Sequence, residues 1–361
     1  MDLQQLVGAG LMLLFLADIF LTVLYARAGT GLFAARWNRF IWAVVLGASR
    51  LSGRYRATIL SLAGPLIVVA LIGVWALGLT IGAALIVHPE LGTAVRPSSG
   101  ASSTDFVTAL MVAGNSLSIV GGGDYSPHTS ATRILFLVNS LIGASVLSLV
   151  LSYLVQVYSA LRERNALALT VELMTAGTGD AAEMLARLGP NGKFTSANSE
   201  LSNVARSLAM TKEAHHFYPL LFYFRFEDPL YSVSRMSFIL LDLTTLIEAA
   251  LDRNKYGVLV RSVAVQSLHR CARLLLATLD QNFPTVDEKQ TLSRTAVFEA
   301  SYAAALAVLR NAGIETKPDA ERYAYQRSQW EPLVRRVGPA LGYGMDEIDC
   351  RRPLKQAATF E

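Results

Sequence analysis

The sequence predicts an all-α membrane protein, and three observations carry that prediction. Of 361 residues, 52% are hydrophobic and only 17% charged, against about 25% charged in an ordinary soluble domain. Residues 57–87 and 134–161 contain no Asp, Glu, Lys or Arg, and each run exceeds the ~20 residues that cross a hydrocarbon core. In residues 165–361 apolar side chains recur at helical spacing, and no alternating strand pattern repeats. Cys271 and Cys350 lie far apart. They suggest neither a disulfide framework nor a metal site, but one buried thiol and one tail thiol.

The first element is an N-terminal transmembrane helix within 1–28. Residues 6–25 are interrupted only by Asp18, and 1–6 lack the basic residue of a signal peptide. Segment 29–56 is basic. Arg27, Arg36, Arg39, Arg50, Arg54 and Arg56 stand near the ends of the flanking spans with no acid among them. Positive charge marks the cytoplasmic side, so Met1 is expected outside, the second span runs outward, and the third returns with Arg162 and Arg164 at its inner end. Within the basic segment, residues 33–46 mix Arg36 and Arg39 with Trp37, Phe40, Ile41 and Trp42. That pattern suits a helix lying in the membrane interface. The net charge of +4 is ascribed to such flanking arginines, and no nucleic-acid partner is expected.

Between the second and third spans, residues 88–103 are rich in Gly, Pro and Ser and read as a loop. Thr104 and Asp105 cap a short apolar helix over 106–116, too short to span. Gly121, Gly122 and Gly123 follow, and then a polar turn. A half-helix that descends and an extended strand that climbs back make a re-entrant loop over 104–127. Irregular backbone at membrane depth is tolerated where it is buried in protein or lines a water-filled path. Glycine admits positive φ, which lets successive carbonyls face one axis and replace an ion's water shell.

Residues 116–124, Ser-Leu-Ser-Ile-Val-Gly-Gly-Gly-Asp, resemble the filter signature of tetrameric potassium channels, and the Asp124-Tyr125-Ser126-Pro127 turn resembles the one that follows it in bacterial members. The resemblance covers roughly 57–164. It implies a potassium-channel-like pore domain with outer helix, pore helix, filter and inner helix. One extra transmembrane helix precedes it and an all-α cytoplasmic domain follows. It also implies that Ser118, Ile119, Val120, Gly121, Gly122, Gly123 and Asp124 form the ion-conducting filter, and that Gly143 is an inner-helix hinge. Ile119 stands where the family has a threonine whose hydroxyl helps form the innermost site. Gly122 stands where it has an aromatic residue that holds the filter's width. Potassium selectivity is therefore expected to be weakened or altered. Gly342-Tyr343-Gly344, which has the family's letters, lies in a polar region without flanking spans.

Other residues keep two readings. Asp18 either serves function as an intramembrane acid or faces another helix and hydrogen-bonds to Ser, Thr or an Arg near the interface; the second is preferred. Asn139, one turn before Gly143, either faces a central cavity or bonds across helices. Val150, Leu151 and Leu154 either form a hydrophobic gate or pack against helices and lipid. Asp124 either rings the outer mouth or bonds to the pore helix behind the filter. Glu213, His215 and His216 are read as packing rather than as a metal site, because adjacent helical histidines diverge by about 100°.

Domain 165–343 is expected to be helical. Helices are placed at 179–188 with Asp180 near the start, 197–217, 236–251, 258–279, 294–309 after Ser293, and 321–337. From 344 to 361 a disordered tail is expected. Gly177-Thr178-Gly179 follows helical sequence, not the strand that a nucleotide-binding turn requires. Arg225, Arg235, Arg253, Arg261, Arg270 and Arg273 read as a solvated or salt-bridged face, with an unidentified cytoplasmic ligand left open.

These readings converge on a cation channel subunit of the cell membrane, expected as a bacterial inner-membrane, multi-pass protein. It would be a homotetramer contacting membrane lipids and conducting K+, and also Na+, with no cofactor. The alternative is a non-conducting relative acting as a membrane-anchored helical sensor or scaffold. No nucleophile–base set, phosphate loop or metal motif points to an enzyme.

Overall fold

The computed structural model describes residues 2–25, 31–51, 53–118, 123–282 and 295–351. Among the described residues the fold is all-α apart from one strand pair. The helices are α1 Leu3–Ile19, continued by a wider turn Phe20–Leu24, α2 Ala34–Leu51, α3 Arg56–Ser61, α4 Ala63–Val87, α5 Phe106–Leu117, α6 Ser130–Met174, α7 Ala181–Leu188, α8 Ala197–Phe217, α9 Val233–Ala250, α10 Arg253–Val260, α11 Val263–Asn282, α12 Thr295–Asn311, α13 Ala320–Ala340 and α14 Met345–Ile348. Strands β1 Val95–Pro97 and β2 Tyr125–Pro127 pair antiparallel, with Val95 opposite Pro127. Three helical stretches, Leu3–Leu24, Ala63–Glu90 and Ser130–Met174, are long and apolar enough to cross a membrane.

The chain divides into two compact units. The first comprises Met1–Trp42, Pro65–Tyr158 and Phe217–Leu220; the second comprises Ala43–Gly64, Ser159–His216 and Leu221–Glu361. In the first unit α1 lies antiparallel to α4. Gln4 bonds His88 at 3.0 Å, and Gln5 donates to Glu90 at 3.0 Å. At the other end the Asp18 carboxylate accepts from Trp75 Nε1 at 2.8 Å and from the Phe33 amide at 2.9 Å. Among the described residues Asp18 is thus a buried acid with two donors, neither of them a Ser, Thr or Arg side chain; Arg27 lies outside the described residues. Small residues set the closeness of the pair. A Cβ at Gly8 would stand 2.6 Å from the Gly82 carbonyl oxygen, the small-residue contact that joins helices where lipid offers no hydrophobic drive. Met12, Trp75, Leu79, Ala83, Ala109, Val112, Ala113 and Val150 form the core of this unit.

The second unit is a bundle in which α9 is buried along nearly its whole length. Several elements differ from expectation. Helix α2 runs past Leu46 and through Gly47 to Leu51, five residues beyond the interfacial segment read from the sequence. The single helix expected over 258–279 is two. Asp252 caps α10 through the Asn254 amide, and the Ser262 hydroxyl accepts from Val265 to start α11. Ser293 lies outside the described residues. The tail expected to be disordered from 344 is ordered through Arg351: α14 forms, and Arg351 is enclosed by carboxylates. Residues 352–361 lie outside the described residues.

Candidate functional site

Helix α5 starts where the Asp105 carboxylate accepts from the Thr108 amide at 2.9 Å and the Thr108 hydroxyl at 2.8 Å, with the Ser103 hydroxyl a third donor. The Ser103 and Thr108 bonds hold this carboxyl well below the usual carboxylate range. Ala109, Val112, Ala113 and Ser116 form the buried face. The helix ends at Leu117, and Ser118 turns extended while its amide still reaches the Gly114 carbonyl at 2.9 Å. Ile119, Val120, Gly121 and Gly122 lie outside the described residues. The chain re-enters at Gly123, where the Asn115 amide nitrogen lies 2.7 Å from where a Cβ would stand. The Asp124 carbonyl accepts from the Ser98 amide at 2.5 Å, and β2 then pairs with β1. The Ser103 amide donates to the Tyr125 hydroxyl at 3.0 Å. Both ends of the four-residue stretch are therefore fixed, one by α5 and one by the strand pair. The Asp124 side chain is exposed and bonds to no described residue.

Helix α6 closes on this segment. Asn139 Nδ2 donates to Ser116 Oγ at 3.0 Å, a bond from α6 to α5. Gly143 stands in an uninterrupted helix, and a Cβ there would fall 1.8 Å from the Leu117 carbonyl oxygen. Glycine at 143 is thus what lets the end of α5 touch the α6 backbone. A cavity of about 320 Å³ lies beside the loop, lined by Met111, Asn115, Ser118, Asp124, Phe136 and Ser140 among others.

Val150, Leu151 and Leu154 do not share one face. Val150 is in the core and Leu154 packs on it, whereas Leu151 is 54% exposed. Neighbouring helical residues diverge by about 100°, so within one chain Val150 and Leu151 face different ways.

In the second unit His215 is buried, and its Nδ1 lies 2.8 Å from the Thr211 carbonyl. Burial and then the neighbouring Arg164 guanidinium push its pKa down to about 3. Among the described residues no group of three or more His, Cys, Asp or Glu is placed to hold a metal ion. Of the arginines read as a solvated or salt-bridged face, Arg235 is salt-bridged, whereas Arg225 is buried against backbone carbonyls and a ring. Arg225 donates to the carbonyls of Ala57 and Gly342 and stacks 4.4 Å over Tyr343, and Arg235 pairs with Glu172 at 2.8 Å.

Sequence reasoning missed a buried ionic cluster. Arg351 spans Asp180 at 2.5 Å and Asp242 at 2.6 Å, and Arg327 reaches Glu331 at 2.9 Å and Asp349 at 2.5 Å. Burial lowers the proton affinity of both guanidiniums, but Tyr323 and then the carboxylates around Arg327, and Asp242, Asp180 and Tyr323 around Arg351, more than offset it and leave both well above their ordinary value. Asp242 inside the apolar run from Phe238 to Ile247 was the available signal.

The family model described as an ion channel matches residues 73–160, which take in most of α4, both strands, α5 and the larger part of α6. Comparison with curated proteins and with solved structures gives no match.

Proposed function

We propose that four copies of this chain surround one axis and that residues 118–124 of each line a path for monovalent cations. The supporting observation is the double anchoring of that loop inside the stretch that matches the ion channel family: α5 and Ser118 on one side, Asp124 and the strand pair on the other. One loop per chain supplies a quarter of a ring, so closure requires a cyclic tetramer. Main-chain oxygens of Ile119, Val120, Gly121 and Gly122 replace the water shell of K+ or Na+. The negative end of the α5 dipole faces the cavity below. Exposed Asp124 carboxylates raise the cation concentration at the mouth. Without a hydroxyl at 119 or an aromatic ring at 122, the path prefers K+ only weakly. Leu151 is the one candidate gate residue on an exposed face. The chain sits in the cell membrane with its N-terminus outside and its helical unit in the cytoplasm, where it senses or relays a signal. The path needs no cofactor beyond the permeant ion.

Purified chain in liposomes tests this. The proposal expects flux down either a potassium or a sodium gradient and a tetrameric mass in mild detergent. A monomer or dimer, or silent vesicles in both gradients, would overturn it and leave the non-conducting membrane-anchored sensor or scaffold.

A further inference from the structure

The stretch ahead of α4 carries charge of one sign. Between Asp18 and Glu90 the sequence has no acid, while Arg50, Arg54 and Arg56 fall within seven residues. All three are exposed. Among the described residues none of them forms an ion pair. Elsewhere in the same unit carboxylates hold basic side chains: Lys212 with Glu213 at 2.7 Å, Arg322 with Glu248 at 3.0 Å, Arg336 with Asp280 at 2.7 Å, and Lys255 with Glu315. Between the unpaired arginines stand large apolar side chains turned to the outside, Leu51 at 90% exposure and Tyr55 at 62%.

We infer that Arg50, Arg54 and Arg56, with Leu51 and Tyr55, form a docking site for anionic phospholipid headgroups. Three cations without carboxylate partners call for an anion. The apolar side chains between them call for an acyl layer within the same few ångströms, which a nucleic acid or an acidic protein loop does not offer. The apolar boundary is at hand. Arg56 lies seven residues before Ala63, the first residue of a membrane-length helix, about 10 Å at helical rise. Arginine stems lie along the acyl boundary while the guanidinium reaches phosphate, and clustered basic residues beside a span attract anionic lipid. The inference does not rest on ion conduction.

The test titrates the purified full-length protein in neutral detergent with phosphatidylglycerol, phosphatidylcholine or inorganic phosphate and follows the thermal midpoint. Phosphatidylglycerol is expected to raise the midpoint saturably at concentrations where the other two leave it unchanged. Substitution of Arg50, Arg54 and Arg56 by Gln is expected to raise the half-saturating phosphatidylglycerol concentration at least tenfold. The same substitution at exposed Arg206, Arg270 and Arg310 is expected to leave it unchanged. Equal responses to the two lipids would overturn the inference on wild-type protein alone, whatever the variants do. A matching response to inorganic phosphate would mark a free-anion site instead of a lipid one. Equal weakening by both triple variants would reduce the effect to net charge.

Discussion

The side-chain amide of Asn139 donates to the Ser116 hydroxyl across 3.0 Å, while its own Oδ1 is buried with no partner among the described residues. The bond joins the last turn of α5 to α6, and the Ser116 hydroxyl passes it on to the Ala113 carbonyl at 2.8 Å. A buried acceptor left empty costs about 1–3 kcal/mol, and a satisfied bond contributes about 1 kcal/mol net. Asn139→Ala and Ser116→Ala are each expected to destabilise the protein by about 1–2 kcal/mol. The double variant is expected to fall short of the sum by at least 0.5 kcal/mol, within the usual range of coupling for residues in contact. Unfolding in detergent checks this, and strict additivity would mean that the bond carries no coupling.

Gly143 meets the Leu117 carbonyl so closely that any side chain must push the two helices apart. Gly143→Ala is expected to cost about 1–3 kcal/mol, the range for overpacking. Because Leu117 leads directly into Ser118, the same change is expected to reduce ion flux. If flux and thermal midpoint both match wild type, the contact is not what positions the loop.

His215 makes stability depend on pH in a defined direction. Its folded pKa of about 3 lies below the unfolded value near 6.5, so the unfolded chain takes up a proton that the buried ring refuses. Stability is fully present above about pH 6.5 and declines as pH falls toward 3, by about 2 kcal/mol between pH 6.5 and pH 5 at 1.36 kcal/mol per unit. His215→Gln is expected to flatten that decline. An unchanged slope in the variant would assign it to other groups.

Arg351 is nearly enclosed between Asp180 and Asp242, and Asp242 has no exposed surface. Arg351→Gln removes the nearer of that carboxylate's two counter-charges and leaves Arg327 at 3.8 Å; breaking a buried pair costs about 3–5 kcal/mol. Chemical denaturation of the full chain reads the loss. A change under about 1 kcal/mol would show that water reaches the site when the pair is broken, returning it to the range of surface pairs.

What was legible in the sequence follows from the range of each signal. The spans and α5 were readable because a charge-free run and an Asp cap are local features. The β1–β2 pair was not, since three residues are too few for an alternating pattern, and its register rests on contacts between residues about 30 apart. Val150, Leu151 and Leu154 looked alike as letters, and only packing separates the buried Val150 and the half-buried Leu154 from the exposed Leu151. The Arg351 clasp was read as tail because a charged residue near a terminus does not disclose its partner. The Asp18 bonds escaped for a related reason, as Trp75 is a donor that an apolar run conceals. The four residues between Ser118 and Gly123 were read from resemblance, and their geometry lies outside the described residues.

The central claim is that the backbone of this loop conducts cations and that positions 119 and 122 set how well it tells them apart. The most direct measurement is the zero-current potential of the reconstituted protein with K+ on one side and Na+ on the other, for wild type and for Ile119→Thr with Gly122→Tyr. The account predicts current from both ions in wild type and a shift toward the potassium equilibrium potential in the double variant. Wild-type membranes silent to both ions, or an identical zero-current potential in the two proteins, would contradict it.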